Sequence, residues 1–225
     1  MTRILLVNGA LRGSRGDTAA ALAHCAKHAT DRGAVVDTLV LADLAAAPIA
    51  AREVVARVEN ADALILGTGT VWSSPSSVMT RFLEVLTPRE LDPAFLGKPA
   101  AAVVTMDSVG GVEAGSRLLV ALTLMGFALP PCALVALART SIRDVDDAHH
   151  GDEHDADVWS PRDLPVLIDN VLAMAQVRPP YRAWSVRQAR AVAGDYPAVA
   201  GLDLGLPRAL PPNDDNDDDD DDDDE

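Results

Sequence analysis

The residues best suited to hold a ligand lie in three loops, and the first of these is "NGALRGSRGDT", residues 8–18. It follows a short apolar strand pattern and precedes an alanine-rich helical pattern. Its backbone N–H groups, the hydroxyls of Ser14 and Thr18, and the guanidinium groups of Arg12 and Arg15 are donors that suit a phosphate at a helix start. No Gly-Lys-Ser/Thr follows, and the glycine spacing is not that of a G-x-G-x-x-G turn. The loop therefore predicts a phosphate monoester site of another kind.

The second and third loops carry residues that suit a flat ring. The second, "TGTVWSSPSSVM" at 68–79, places Trp72 among hydroxyl-bearing residues that could hydrogen-bond the polar edge of a ring. The third, "TMDSVGGVEAG" at 105–115, contains Gly110 and Gly111, which would let the backbone approach a planar ligand. The alternatives are a tryptophan that packs beneath its loop and a plain glycine turn.

The net charge of −15 is concentrated at one end of the 225-residue chain. Residues 214–225 hold eleven acidic residues, which leaves −4 for the rest. Like charges repel and nothing apolar is present, so we expect residues 213–225 to be a disordered, solvating or salt-adapting tail. A docking tail for a basic partner and a weak divalent-cation sink are the alternatives. The charge argues against nucleic-acid binding, which needs basic surface.

Cysteine content and hydropathy predict a cytoplasmic protein. Cys25 and Cys132 form no close-spaced motif, as expected of a reduced compartment. No apolar run reaches the ~18 residues that span a bilayer, and no signal peptide is visible before the first strand.

Alternating apolar and amphipathic segments predict five strands and five helices. The predicted strands are 3–7, 34–41, one within 61–69, 98–106 and 128–137, and the predicted helices are 18–32, 51–60, 76–87, 112–126 and 162–177. We expect Thr18 to be an N-cap, Gly33 to follow its helix, and Pro130-Pro131 to mark an edge strand or a late start of pairing. Nearly all-apolar strands indicate a doubly wound parallel sheet covered on both faces, with ligands at the carboxyl ends of its strands.

The chain divides into a domain at 1–177, a Pro- and Gly-rich extension at 178–212 and the acidic tail. A polar insertion before the last helix holds His149, His150 and His154 with nearby carboxylates. Their spacing matches no metal site, so we interpret them as a solvated loop and predict no metal.

Three segments resemble the flavodoxin-like NADPH-dependent FMN reductases, in the correct order and over about residues 1–177. "GALRGSRGDTAAAL" resembles their phosphate loop, and "ADALILGTGTVWSSPSSVMTRFLEVLT" their isoalloxazine loop and following helix. "LGKPAAAVVTMDSVGGVEAGSRLLVALTLMGFALP" is similar to their K-P strand, glycine loop and next helix. Ala10 stands where the family often has Ser, Gly69 and Val71 replace the usual Pro and Tyr, and Thr80-Arg81 replaces the usual Lys before Phe.

The resemblance implies a flavodoxin-like α/β fold with strand order 2-1-3-4-5, bound FMN and NAD(P)H as co-substrate. Electrons would pass to a small acceptor: a quinone, free flavin, an azo or nitro compound, or a metal ion. It also implies a homodimer or homotetramer, and no acid–base pair is assigned because the flavin does the chemistry. The candidate FMN-binding residues are Ala10, Leu11, Arg12, Ser14 and Thr18 in the first loop, Thr70, Val71, Trp72, Ser73 and Ser74 in the second, and Ser108, Gly110 and Gly111 in the third.

Other functions of the same fold stay open. One is a non-enzymatic electron carrier of the flavodoxin type, and another is an interaction module that has lost flavin binding. A signalling receiver is disfavoured, because Asn8 and Gly67-Thr68 occupy the positions at which that function needs acidic residues.

Overall fold

A central sheet of parallel strands organises the computed structural model, which describes residues 1–45, 51–138, 160–177 and 181–183. Within these residues five strands run parallel, and a sixth, two-residue strand pairs antiparallel to one of them. The strands are β1 (Arg3–Asn8), β2 (Val35–Val40), β3 (Ala63–Val71), β4 (Ser74–Pro75), β5 (Ala100–Met106) and β6 (Leu134–Ala138). The order β2-β1-β3-β5-β6 confirms the predicted doubly wound sheet, and β4 is an addition that the sequence did not predict.

In the described part of the chain, five helices cover both faces of this sheet. They are α1 (Asp17–Asp31), α2 (Ala51–Asn60), α3 (Ser77–Leu86), α4 (Gly111–Leu124) and α5 (Leu164–Val177). Apolar side chains of α2, α3 and α4 pack into one core cluster, and those of α1 and α5 pack into a second on the opposite face. None of the helices in the described part of the chain is long and apolar enough to cross a membrane.

Most predicted elements are confirmed, with two instructive shifts at their ends. Thr18 is not the N-cap of α1: Gly16 is, and the Thr18 side chain is buried instead. The last strand lies at an edge of the sheet, and its continuous pairing starts only at Leu134, after Pro130-Pro131. Before the prolines, Ala128 forms an isolated parallel bridge with Pro99. Both consequences predicted for the two prolines, an edge position and a late start of pairing, are therefore present.

A buried lysine joins the end of α2 to the segment that leads into β5. Lys98 is fully buried, and its Nζ donates hydrogen bonds to the carbonyl oxygens of Val58 and, at 3.0 Å, Glu59. These carbonyls belong to the last turn of α2, where helix oxygens lack intrahelical donors. The ammonium also lies 5.9 Å from the centre of the Phe95 ring. Lys98 thus caps α2 from inside the core.

Several predictions lie outside the described residues. They concern the histidine-bearing insertion, the extension at 178–212 and the acidic tail. Of the extension, the structure describes residues 181–183. They remain predictions.

Candidate functional site

A cleft of about 190 Å³ opens at the carboxyl ends of β1, β3 and β5. The chain passes from β1 out to β2 and returns to β3 on the other side, so this is where the strand order reverses and where doubly wound sheets bind ligands. The lining residues are Ala10, Leu11, Arg12, Gly16, Asp17, Thr18, Gly69, Thr70, Val71, Ser76, Thr105, Met106 and Asp107.

The structure brings six of the predicted site residues together in this cleft: Ala10, Leu11, Arg12, Thr18, Thr70 and Val71. Ser14 is exposed in a short helical turn at Gly13–Arg15, and Ser108 is exposed beyond the end of β5. Ser74 lines a neighbouring groove. Trp72, Ser73, Gly110 and Gly111 do not line the cleft. Trp72 and Ser73 directly follow Val71, which does, and Gly110 lies against Ser73.

The shape of the first loop is set by a buried asparagine. Asn8 ends β1, and its Nδ2 donates to the carbonyl oxygen of Gly13 at 2.8 Å. Its Oδ1 accepts from the backbone N–H of Ala10 at 3.0 Å. Gly13 adopts a φ of 58°, which glycine allows without strain. The one polar residue at the end of an apolar strand was the sequence signal for this role.

The start of α1 forms one wall of the cleft. Gly16 caps the helix through its backbone, and its carbonyl oxygen accepts from Ala19 at 2.9 Å and Ala20 at 3.2 Å. The first N–H groups of a helix carry the positive end of its dipole and favour an anion there. This end of α1 and Arg12 are therefore the side of the cleft that is best suited to an anion.

Two buried hydroxyls form its floor. The Oγ1 atoms of Thr18 and Thr105 share a hydrogen bond of 2.6 Å, which joins α1 to the end of β5. The methyl group of Thr18 also packs against β3, which passes beneath α1. A Cβ on Gly67 of β3 would lie 3.0 Å from this methyl carbon. Thr18 thus has a structural role that its sequence context did not reveal.

Ser76 connects the first and second loops. It is the N-cap of α3, with Oγ accepting from the N–H of Met79 at 3.1 Å and donating to the carbonyl oxygen of Gly9. Its own N–H donates to Thr68 Oγ1 at 3.1 Å. These bonds fix the end of β1 against the start of α3. Sequence reasoning placed the helix start here but did not single out Ser76.

The chain after β3 folds back in a hairpin with an unusual turn. Val71 pairs with Ser74, and the two residues between them, Trp72 and Ser73, have φ values of 51° and 56°. Two-residue hairpin turns of this kind favour Asn-Gly or Gly-Gly. A left-handed conformation costs a residue other than glycine roughly 1–2 kcal/mol. Trp72 is 96% exposed, so the turn presents its indole to solvent beside the cleft.

Gly110 and Gly111 meet protein atoms at short range. A Cβ on Gly110, whose φ is 89°, would lie 2.7 Å from Ser73 Oγ. A Cβ on Gly111 would lie 2.7 Å from the sulfur of Met106 and 2.9 Å from the Cβ of Ala136. Glycine at both positions is thus explained by packing of the third loop against the hairpin and the sheet, and a role against a ligand stays a prediction.

A second, more open groove adjoins the cleft and shares Leu11 and Val71 with it. Its volume is about 560 Å³. The remaining lining residues are Ser74, Pro75, Ser77, Thr80, Arg81 and Glu84. The exposed face of α3 thus forms its base, where Arg81 and Glu84 make an ion pair of 2.6 Å.

The charged residues of the cleft limit how much negative charge a ligand can carry there. Arg12 is its basic side chain, while Asp17 and Asp107 contribute carboxylates to the lining. An anion bound here would depend on Arg12 and on backbone N–H groups, since the two carboxylates would oppose it. Such a site suits one phosphate anchored at the α1 end.

Comparison with known proteins agrees with this geometry. Residues 2–141 match the sequence model of the NADPH-dependent FMN reductases, more than half of the chain. No curated protein sequence matches it.

Solved structures show the same fold at low identity. RosB, with a bound 8-demethyl-8-formylriboflavin-5'-phosphate intermediate, has a TM-score of 0.67 at 16% identity, covering 88% of this chain and 89% of that one. FerB of Paracoccus denitrificans, a flavoenzyme NAD(P)H:(acceptor) oxidoreductase, has a TM-score of 0.55 at 19% identity, covering 79% of this chain and 99% of that one. An archaeal flavodoxin has a TM-score of 0.54 at 16% identity, covering 78% of this chain and 99% of that one. The fold is therefore flavodoxin-like, and the chain belongs to the NADPH-dependent FMN reductase family of oxidoreductases.

Proposed function

We propose that the cleft binds FMN and that the protein uses NAD(P)H to reduce a small acceptor through it. The observation that carries this proposal is the position of the cleft: it lies at the switch point of the sheet in a family member, between the first loop and the end of β3. Candidate acceptors are a quinone, a free flavin, an azo or nitro compound, and a metal ion.

The residues at the α1 end fit a flavin phosphate. Arg12 supplies a charge-assisted donor, and the first turn of α1 supplies N–H groups. A Cβ on Gly69 would meet only Thr105 atoms, at 3.9 and 4.0 Å, so glycine leaves the cleft open where a side chain would fill it. The cleft therefore has both donors and space for a phosphate and the chain attached to it.

The ring would extend beyond the cleft. Sites that enclose a ligand of this size have volumes of about 300–1,000 Å³, and the cleft measures about 190 Å³. The shared walls at Leu11 and Val71 make the second groove and the hairpin the region that the ring would reach. Trp72 and Ser73 are therefore proposed to border the ring.

Bound FMN would supply the redox chemistry, accepting hydride and passing electrons on. The chain's own residues would bind and orient it: Arg12 at the phosphate, Thr70 and Val71 along one wall, Trp72 at the mouth. Backbone N–H groups of the second and third loops would stabilise negative charge that develops on the ring.

We also propose that a second copy of the chain covers the mouth, in a homodimer or homotetramer. Apolar side chains around it are exposed, including Val109 at 74% and Val112 at 45% beside Leu11, Val71 and Trp72. Exposed apolar patches of this kind commonly mark interaction sites. Sedimentation analysis would test the assembly, and a monomer at micromolar concentration would refute it.

We propose a cytoplasmic location. Cys25 and Cys132 are both free thiols, as expected where glutathione keeps cysteines reduced. Fractionation of the producing cells would test this location.

The function is tested on the purified full chain. Its absorption spectrum and an FMN titration report flavin binding, and oxidation of NADPH and NADH is then followed with each class of acceptor. Steady turnover without an added reductase is expected. Flavin binding without such turnover would instead indicate an electron carrier, and no flavin binding would indicate an interaction module.

A further inference from the structure

The hairpin that carries Trp72 is in contact with α4 at two consecutive residues. Gly110, just before α4, approaches Ser73 so closely that a Cβ on the glycine would lie 2.9 Å from the Ser73 Cα. Arg117, two turns into α4, donates a hydrogen bond from Nη1 to Ser74 Oγ at 3.1 Å. The third loop and its helix thus lie behind the second loop.

We propose that Arg117 is a positioning residue that, together with Gly110, holds the Trp72–Ser73 turn in its left-handed conformation and so fixes Trp72 at the mouth of the cleft. The contacts belong to the protein alone. The consequence for a ligand rests on the proposed function.

The turn needs support from outside the hairpin. Trp72 and Ser73 both have a positive φ. This conformation is unfavourable for residues with a Cβ atom, because the Cβ comes too close to the following carbonyl oxygen. Trp72 is almost wholly exposed, so burial of its indole does not offset this cost. The interactions that support the turn are therefore the contact of Ser73 with Gly110 and the hydrogen bond of Ser74 with Arg117.

Backbone pairing within the hairpin is weak. It consists of the pairs Val71–Ser74 and Thr70–Pro75. Proline has no N–H to donate to a strand ladder. A hairpin with so little pairing would not by itself hold a strained turn, which makes the bond from Arg117 to Ser74 more important than an exposed hydrogen bond usually is.

Displacement of the hairpin would change the ring side of the cleft more than the phosphate side. Thr70 and Val71, which line the cleft, lead directly into the turn. Arg12 and the start of α1 are held by contacts outside the hairpin, because Asn8 bonds to Gly13 and Thr18 bonds to Thr105. Loss of Arg117 should therefore weaken contacts with a flavin ring while leaving phosphate binding intact.

The first experiment measures the turn without a ligand. In a full-length protein whose Trp159 and Trp184 are replaced by Phe, time-resolved anisotropy reports the local motion of Trp72. Arg117→Ala is expected to enlarge the fast component and Arg117→Lys to restore it. Arg32→Ala, which removes an exposed ion pair on the opposite face of the sheet, is the matched control.

A double-mutant cycle identifies the contact. Ser74→Ala should reproduce the effect of Arg117→Ala, and the double variant should add nothing to either, because both remove one hydrogen bond. Additive effects, or unchanged anisotropy in Arg117→Ala, would overturn the proposal.

The second experiment compares FMN with riboflavin, which lacks the phosphate. Arg117→Ala is expected to weaken both by the same factor, roughly two- to tenfold for one net hydrogen bond. A loss confined to FMN would contradict the proposal, because it would place Arg117 at the phosphate. If the starting protein binds neither flavin, the proposed function fails while the anisotropy result still decides the positioning role.

Discussion

Arg12 and Arg15 allow a matched test of where the phosphate binds. Both are exposed arginines of the same loop, but Arg12 lines the cleft and Arg15 does not. Replacing each by Ala removes the same charge from the loop. We expect Arg12→Ala to weaken FMN binding and Arg15→Ala to change it little.

The size of the effect follows from the exposure of Arg12. A hydrogen bond to a charged group contributes about 1.5–3 kcal/mol, and each 1.4 kcal/mol is a tenfold change in affinity. Solvent screening of an exposed guanidinium places Arg12 at the lower end of that range. We therefore expect roughly a tenfold increase in Kd, and a smaller one at high salt.

Riboflavin separates phosphate binding from a general effect on the loop. Quenching of flavin fluorescence is titrated with FMN and with riboflavin for the starting protein and both variants. The Arg12→Ala defect should appear with FMN and be absent with riboflavin. An equal defect with both flavins, or an equal loss from Arg15→Ala, would mean that the phosphate binds elsewhere.

Four further predictions test the cleft, the core and the tail. Gly69→Val should leave the urea midpoint unchanged and abolish most flavin binding, because its Cβ enters open space in the cleft; a large loss of stability would contradict this. Burial raises the pKa of Cys25 to about 12, so at pH 8 Ellman's reagent should label only the exposed Cys132 until the chain unfolds; rapid labelling of two thiols would refute it. Lys98→Met should lower the free energy of unfolding by about 1–3 kcal/mol, since it leaves buried carbonyls without their donor; an unchanged urea midpoint would argue against this role. Removing residues 213–225 should leave Tm and FMN affinity intact, whereas a lower Tm would show that the tail docks.

The sheet could be predicted because its strands carry a strong signal. β1, the first part of β3 and β5 are nearly continuous apolar runs, as strands covered on both faces must be. Helices between such strands leave few topologies. Element ends were less predictable, since the start of β6 depends on where Pro130 and Pro131 allow pairing to begin.

The detailed shape of the site could not be predicted, because it depends on contacts between distant residues. Thr18 was expected to be an N-cap from its local sequence, yet it bonds to Thr105, 87 positions away. The Trp72–Ser73 turn lacks the Asn-Gly or Asp-Gly signal by which such hairpins are recognised. Ser76 gave a local helix-start signal, but its bond to Gly9 became visible only once β1 and α3 were placed side by side.

Leu91 and Trp72 both have a strained backbone conformation, but Leu91 lies in the core and Trp72 at the surface. Both have positive φ, 57° and 51°. Leu91 is buried and donates its N–H to the carbonyl oxygen of Met125 at 3.0 Å, so core packing offsets its cost. Trp72 is exposed, and the support of its turn passes through Ser73 and Ser74. Residues in strained backbone conformations cluster at active sites and ligand clamps. A flavin that packed against the indole would bury it and add to the stability of the turn, so ligand binding and the order of the hairpin should be thermodynamically linked.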